Sequence, residues 1–414
     1  MPRSRSDLTP GLHRNVWVAS ATSFLTDVSS EMLQNVLPLF LANVLGVRVW
    51  AVGVVGGAAE STAAILKLYS GWLSDRLRAR KWLAVTGYGI SSAAKPFYLM
   101  AGNWVVVAAI RWSDRVGKGV RSAPRDALLA DSVPAARRGL AFGLHRAADT
   151  AGAAVGLLAT LWVVQATQGG GLTLERDTFH TLVLWSLIPA FLAVVILALG
   201  AQDVPTPDAP PSPPRISPRS LGKGFGAFVL ASAVFELGNS SDAFLILRAQ
   251  ERGLGVMGLL WMLLAFNVVY TAVSAPAGAL ADKVSRRWVV LGGWFVYALV
   301  YLGFALAETA THAVVLFMAY GVYQGLVAGA AKALVADLVP PEVRGTAFGT
   351  YHAVVGIMSL PASLLAGLLW QGFGSWAGFG PAAPFALGAV LAGVAAVMLL
   401  VFVPSGRETT DSAT

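Results

Sequence analysis

The chain has no cysteine and five histidines in 414 residues. The first absence rules out disulfides, thiolate metal sites and a cysteine nucleophile. The histidines, His13, His145, His180, His312 and His352, are scattered near the ends of apolar runs without ligand spacing, so no metal site is expected. Charge is scarce as well: Asp, Glu, Lys and Arg make up 13% of the chain, against about 25% in soluble proteins. Gly117-Lys118-Gly119 follows no strand and lacks the full phosphate-loop spacing, and no HExxH, Ser-His or His-Asp constellation is present. A nucleotide-driven pump and a cofactor enzyme therefore have no support. A polytopic membrane enzyme is a remote alternative, and no cofactor is expected.

What is present is hydrophobic: 56% of residues, with a mean hydropathy of +0.65. That is the composition of a polytopic membrane protein. Runs of about 20 apolar residues, the length that crosses a bilayer, occur twelve times, at 15–44, 49–73, 82–102, 104–125, 140–166, 179–200, 223–247, 255–280, 288–307, 312–336, 346–370 and 382–403. The basic start MPRSRSDLTPGLHRN leads into a first run too long for a signal peptide, so it reads as an uncleaved span. Lys and Arg outnumber Asp and Glu by 30 to 22, which in a soluble chain would suggest nucleic acid. Here they sort by loop. Arg3, Arg5, Arg14, Arg76, Arg78, Arg80, Lys81, Arg137, Arg138, Arg215, Arg219, Lys283, Arg286, Arg287, Arg344 and Arg407 fall on one side, and Arg48, Arg176, Arg248 and Arg252 on the other. By the positive-inside rule both termini are expected in the cytoplasm, with the chain in the cell membrane, the bilayer as its partner and no nucleic acid.

Between the sixth and seventh runs lies QDVPTPDAPPSPPRISPRSLG, proline-rich and aperiodic, which reads as a linker. The expected organisation is an N-terminal six-helix unit over 1–202, a linker over 203–222 and a C-terminal six-helix unit over 223–414. The two units repeat each other. Asp131-x-x-Pro134, Arg138-Gly139 and Ala141-Phe142-Gly143 match Asp337-x-x-Pro340, Arg344-Gly345 and Ala347-Phe348-Gly349 without a gap. Gly71, Asp75, Arg76, Arg80 and Lys81 answer Gly278, Asp282, Lys283, Arg286 and Arg287, and Ser29-Ser30-Glu31 has an echo in Ser240-Ser241-Asp242. Six spans, a linker and six more in the same orientation describe a parallel pseudo-symmetric repeat.

These residues resemble the major facilitator superfamily along essentially the whole chain. The family's signature between spans two and three, Gly-x-x-x-Asp-Arg/Lys-x-Gly-x-Arg/Lys-Arg/Lys, is met by Gly71, Asp75, Arg76, Arg80 and Lys81, with Arg78 where a second glycine is expected. The resemblance implies an all-α membrane fold of two six-helix bundles and a monomeric secondary transporter working by alternating access. It also implies gating roles for Gly71, Asp75, Arg76, Arg80, Asp131, Arg138, Gly278, Asp282, Asp337 and Arg344, with Asp75 meeting the start of span eleven near Thr346 when the inner side is shut. It does not imply a cargo.

The chemistry-bearing residues cluster in the N-terminal unit. Arg111, Asp114, Arg115, Lys118, Ser122 and Arg125 recur at three- and four-residue steps through span four and so share one helical face. Each ionised group at the bilayer centre costs roughly 2.5–3.5 kcal/mol, so such a stripe must face partners or a wet cavity. The matching positions of span ten, among them Phe317, Tyr320, Gln324 and Ala331, are uncharged, which points to function rather than architecture. Asp27 and Glu31 share a face of span one with Ser23, Ser30 and Gln34; Glu60 and Lys67 share a face of span two; Lys95 and Asp149 lie in spans three and five. The signs come close to balancing. Two readings stay open: structural ion pairs, or carboxylates that exchange protons while cations bind cargo. On the second, Asp27 and Glu31 are expected to approach Arg111 and Arg115, since a desolvated carboxylate that loses its cation tends to take up a proton. In the C-terminal unit only Glu236, Asp242 and Lys332 remain as candidates, so that half is expected to supply shape and apolar contact. The expected reaction is proton-coupled transport of a small molecule, preferably efflux; the alternative is proton- or sodium-coupled import of a small polar or anionic metabolite.

Overall fold

The computed structural model describes residues 13–77, 79–134, 137–204, 222–340 and 343–404. The linker from 205 to 221, both tails and the side chains of Asp75, Arg138 and Asp282 lie outside the described residues. Twelve long helical segments run back and forth: α1 (Arg14–Gln34, continued by Leu37–Leu39 and a π-helical turn at Phe40–Val44), α2 (Val49–Leu77), α3 (Arg80–Ala94, continued by a 3-10 segment at Lys95–Met100), α4 (Trp104–Asp131), α5 (Arg138–Thr167), α6 (Arg176–Gly200), α7 (Lys223–Gly238 and Ala243–Glu251), α8 (Val256–Lys283), α9 (Arg286–Leu306), α10 (Ala310–Asp337), α11 (Arg344–Gln371) and α12 (Ala383–Phe402). Nine of them, among the described residues, are long and apolar enough to cross a membrane. The other three, α1, α3 and α4, belong to the first half: α1 and α4 carry charged residues within their spans, and α3 has only 15 residues of α-helix before its 3-10 continuation. Span four reaches Asp131, six residues beyond the expected end, and span seven, expected as one run, is broken at 239–242.

The packing repeats as the sequence does. In the first half α1 lies on α5 and α6, and α4 on α2 and α3; in the second α7 lies on α11 and α12, and α10 on α8 and α9. The halves meet along α2 with α11 and α5 with α8, two pairs that exchange under the same pseudo-twofold. Details of the repeat extend to caps and ion pairs. The Asn103 side chain caps α4 by accepting from Val106 N (3.1 Å), and Thr309, at the same offset that relates Asp131 to Asp337, caps α10 by accepting from His312 N (3.2 Å). Small residues permit the close approaches: a Cβ on Gly152 or Gly156 of α5 would come within 2.4 Å of Phe24 O and 2.6 Å of Val28 O on α1, as small-xxx-small packing requires.

The end opposite the termini is sealed. Asn43 and Gln250, at the ends of α1 and α7, exchange side-chain amide bonds of 3.2 and 2.9 Å, and Gln250 also donates to Leu172 O (2.7 Å). Val256 N donates to Gly171 O (3.0 Å), Val49 N to Gln371 Oε1 (2.7 Å), and the rings of Trp50 and Phe373 meet edge to face. The α2–α11 contact continues inward through Gly53, Gly57 and Ser61, whose hydroxyl donates to Gly356 O (2.7 Å).

Candidate functional site: a charged cavity between the halves

Below the seal lies a cavity of about 570 Å³. The first half contributes Gln34, Asn35, Glu60, Lys67, Arg111, Arg115, Lys118 and Ser122; the second contributes Glu236, Asn239 to Asp242, Tyr320, Gln324 and His352. The helical stripe expected on α4 thus faces this space. Arg115 is its anchor: Nε lies 3.0 Å from Glu60 Oε1 of α2 and 4.0 Å from Asp114 Oδ2, and a terminal nitrogen donates to Gln34 Oε1 of α1 (3.3 Å). Arg111 approaches the same Glu60 oxygen (3.8 Å) and Asp114 (3.6 Å). Two arginines and two carboxylates from α2 and α4 therefore form one neutral cluster. Lys67 and Lys118, by contrast, point into the cavity without an ion-pair or hydrogen-bond partner among the described residues.

The carboxylates of α1 are placed differently from expectation. Glu31 is bonded by Asn35 Nδ2 (2.6 Å) and by Gln34, so it reaches Arg115 only through the Gln34 amide. Asp27 does not meet Arg111 or Arg115; it lines a second compartment of about 400 Å³ with Glu31, Arg121, Arg125, Arg146, Asp149, Asn267 and Tyr270. The reason is geometric: Glu60 on α2 lies closer to the arginines than any group on α1. Lys67, Lys118 and Ser122 line both compartments. Arg146 bridges the halves by donating to the Tyr270 hydroxyl (3.2 Å).

Other basic groups are absorbed by polar neighbours. Lys95 is buried and donates to Ser29 and Ser30 of α1, tying α3 to α1 away from the cavity. Arg121 donates to Ser91 Oγ (3.0 Å) with its guanidinium 4.3 Å from the centre of the Tyr88 ring. Arg125 holds Asp126 (2.8 Å), and Asp149 lies 3.6 Å from His145.

A family model described as the major facilitator superfamily matches residues 19–258 and 224–414. The chain belongs to the major facilitator superfamily. An uncharacterised MFS-type transporter of Methanocaldococcus jannaschii is 36% identical over 395 residues, covering 94% of this chain and 95% of that one. An uncharacterised protein of Mycobacterium tuberculosis is 28% identical over 369 residues, 86% of this chain and 87% of its own. Among solved structures, a D-xylose-proton symporter superposes with a TM-score of 0.74 at 16% identity over 95% of this chain and 98% of its own. The nucleoside transporter NupG gives 0.72 at 13% over 94% and 98%. At those identities the structures establish the fold, and the family establishes a membrane-spanning transporter.

Of the residues to which the superfamily resemblance assigns gating, Arg80 and Asp131 form an ion pair between the starts and ends of α3 and α4, and Arg286 and Asp337 repeat it between α9 and α10. In each copy the arginine also donates to a carbonyl one turn earlier, Ala127 O (3.3 Å) or Ala333 O (3.2 Å). Arg344 donates to Ala336 O (3.2 Å). Gly71 packs 3.3 Å, measured from its would-be Cβ, against Ala123; Gly278 faces open space, and Arg76 stacks over Trp72. The expected meeting of Asp75 with Thr346 falls outside the described side chains.

The C-terminal half corrects the expectation of an apolar wall. Glu236, Asp242, Tyr320, Gln324 and His352 all face the cavity, with the Tyr320 hydroxyl donating to Asp242 Oδ1 (2.9 Å) and Gln324 Nε2 to the Tyr320 oxygen (3.3 Å). Glu236 and Asp242 stand where the sequence named them as candidates; Tyr320, Gln324 and His352 were not expected in the lining because each stands alone in an apolar run. Arg248, counted among the basic residues of the far side, is buried (2% exposed) and holds Glu251 (2.7 Å) and the carbonyls of Phe304, Ala305 and Ala307. An arginine and a glutamate three residues apart at a helix end was the available signal.

Proposed function

We propose that the protein is a secondary transporter whose two bundles rock about this cavity, that its cargo is a small polar molecule bearing an anionic group, and that protons are the coupling ion. The observation that carries the reading is the pair of unpartnered ammoniums, Lys67 and Lys118, on the N-terminal side of a cavity whose wall there also holds amides, a hydroxyl, apolar side chains and a neutral arginine–carboxylate cluster, with Glu236 and Asp242 on the opposite half. An apolar drug would leave those groups desolvated and unpaired, a cost of several kcal/mol per ion; a carboxylate or phosphate ester would pair with them. The two ammoniums favour the polar or anionic cargo over the drug-like one. Lys118 also faces the compartment that holds Asp27 and Glu31. Cargo that occupies Lys118 changes the charge facing those carboxylates, and this is the route by which binding and proton uptake are linked. The bias of the basic residues to one set of loops supports both termini on the cytoplasmic side.

The test is a stability screen of the purified chain against sugar phosphates, mono- and dicarboxylates, amino acids and lipophilic cations, followed by proton flux in proteoliposomes with whatever binds. Stabilisation by an anion-bearing solute, lost in Lys67→Gln and Lys118→Gln but kept in the surface variant Lys223→Gln, supports the cargo class. Stabilisation by lipophilic cations alone refutes it. Normal proton-coupled transport in both Asp27→Asn and Glu31→Gln would remove those carboxylates from the mechanism.

A further inference from the structure

The C-terminal bundle carries two carboxylates for which that cycle has no role. Glu236 lies in the last turn of the first part of α7 and Asp242 immediately precedes the second, and the backbone between them, through Asn239, Ser240 and Ser241, is not helical. All five line the cavity. Neither carboxylate has a basic partner among the described residues: Glu236 accepts from Asn239 Nδ2 (3.0 Å) and Asp242 from the Tyr320 hydroxyl (2.9 Å). Two uncompensated carboxylates inside a membrane bundle are costly. At the break the negative pole of the first part of α7 and the positive pole of the second meet, so the two carboxylates supply the negative charge of the place.

One further buried oxygen at the same place lacks a hydrogen-bond partner among the described residues: Asn239 Oδ1, whose amide nitrogen already serves Glu236. An unwound helix segment that offers carbonyls, hydroxyls, an amide oxygen and carboxylates is how transporters built on broken helices coordinate sodium. Both carboxylates already accept a hydrogen bond and neutral oxygens outnumber them, a set that suits a monovalent ion better than magnesium, which demands near-ideal octahedral geometry. We propose that the α7 break is a sodium site formed by oxygens of Glu236, Asn239 and Asp242, with Ser240 and the unwound backbone completing the shell.

The site lies at the seam of the two halves. Ser241 N donates to Ser363 Oγ of α11 (3.3 Å), and Ser241 Oγ is 3.3 Å from where a Cβ on Gly56 of α2 would stand. A bound ion would hold α7 in the geometry that makes these contacts. The proposal is independent of the cargo and of the proton route.

The experiment follows thermal unfolding of the purified full chain in detergent while sodium chloride replaces choline chloride at constant ionic strength and pH, with no cargo present. The midpoint is expected to rise with sodium and saturate, by about 1–2 °C at ten times the dissociation constant, with potassium a poor substitute. The response is expected to vanish in Asn239→Ala and Asp242→Asn and to persist in Lys118→Gln, which disables the proposed cargo site instead. Should Asp242→Asn not fold, Asn239→Ala decides, since it keeps both carboxylates. No response in the unaltered protein, equal responses to sodium and potassium, a response to magnesium alone, stabilisation that follows pH but not sodium, or a response retained in Asn239→Ala each overturns the proposal.

Discussion

Gly356→Ala should convert the seal between α2 and α11 into a wedge. A Cβ at position 356 would stand 2.0 Å from the Cβ of Ala64, where ordinary contact begins at 3.4 Å. The helices must therefore separate locally by about 1.4 Å, which also strains the Ser61 hydroxyl bond to Gly356 O. Overpacking of this kind costs about 1–3 kcal/mol, and the cost falls only on the conformation in which the two helices touch. The equilibrium between sealed and open forms of the far end should then shift about 5- to 150-fold towards open. The protein lacks cysteine, so spin labels at Gly170→Cys and Ser375→Cys, exposed positions on the two halves at the sealed end, report the distance directly. Gly356→Ala is expected to add or enlarge a long-distance population, and Ala64→Gly in the same chain to remove it, because the nearest remaining atom, Ala64 Cα, is at 3.6 Å. A distance distribution unchanged by Gly356→Ala, or a change that Ala64→Gly fails to reverse, would refute the argument. So would a lower melting temperature with no distance change, which would mean that the overlap is absorbed within one half.

Two further outcomes are expected. A double-mutant cycle on unfolding with Arg80→Gln and Asp131→Asn should give a coupling of about 1–3 kcal/mol, larger than the same cycle with Arg286→Gln and Asp337→Asn, because the first pair is 10% and 27% exposed and the second 29% and 33%; couplings near zero at both would show the pairs to be without energetic weight. A cysteine at Gly170 should react with a membrane-impermeant thiol reagent on intact cells, and one at Ser212, in the linker beyond the described residues, only after permeabilisation; reaction of both from the same side would overturn the twelve-span topology.

The sequence by itself determined the twelve apolar or stripe-bearing runs, the division into two like halves and the register between them. These are local or internally repeated properties. A run of twenty apolar residues has one stable form in a bilayer, the hydrogen-bonded helix, and a gap-free offset carries Asp131 to Asp337 and the cap of α4 to that of α10 whatever the helices later pack against. The face on which Arg111, Arg115 and Lys118 stand was legible too, because helical periodicity fixes which residues share a side. Their partners were not. Arg115 meets Glu60 rather than Glu31 because α2 lies against α4 along much of its length, and Asp27 turns to a different compartment from the one that Glu60 lines. Such choices are made by the tilt and rotation of helices far apart in the chain, over distances of a few ångströms that no spacing encodes. The break in α7 is the same kind of fact: Asn239 to Asp242 read as part of one span, and only the structure shows that their backbone leaves the helix and lines the cavity between the halves.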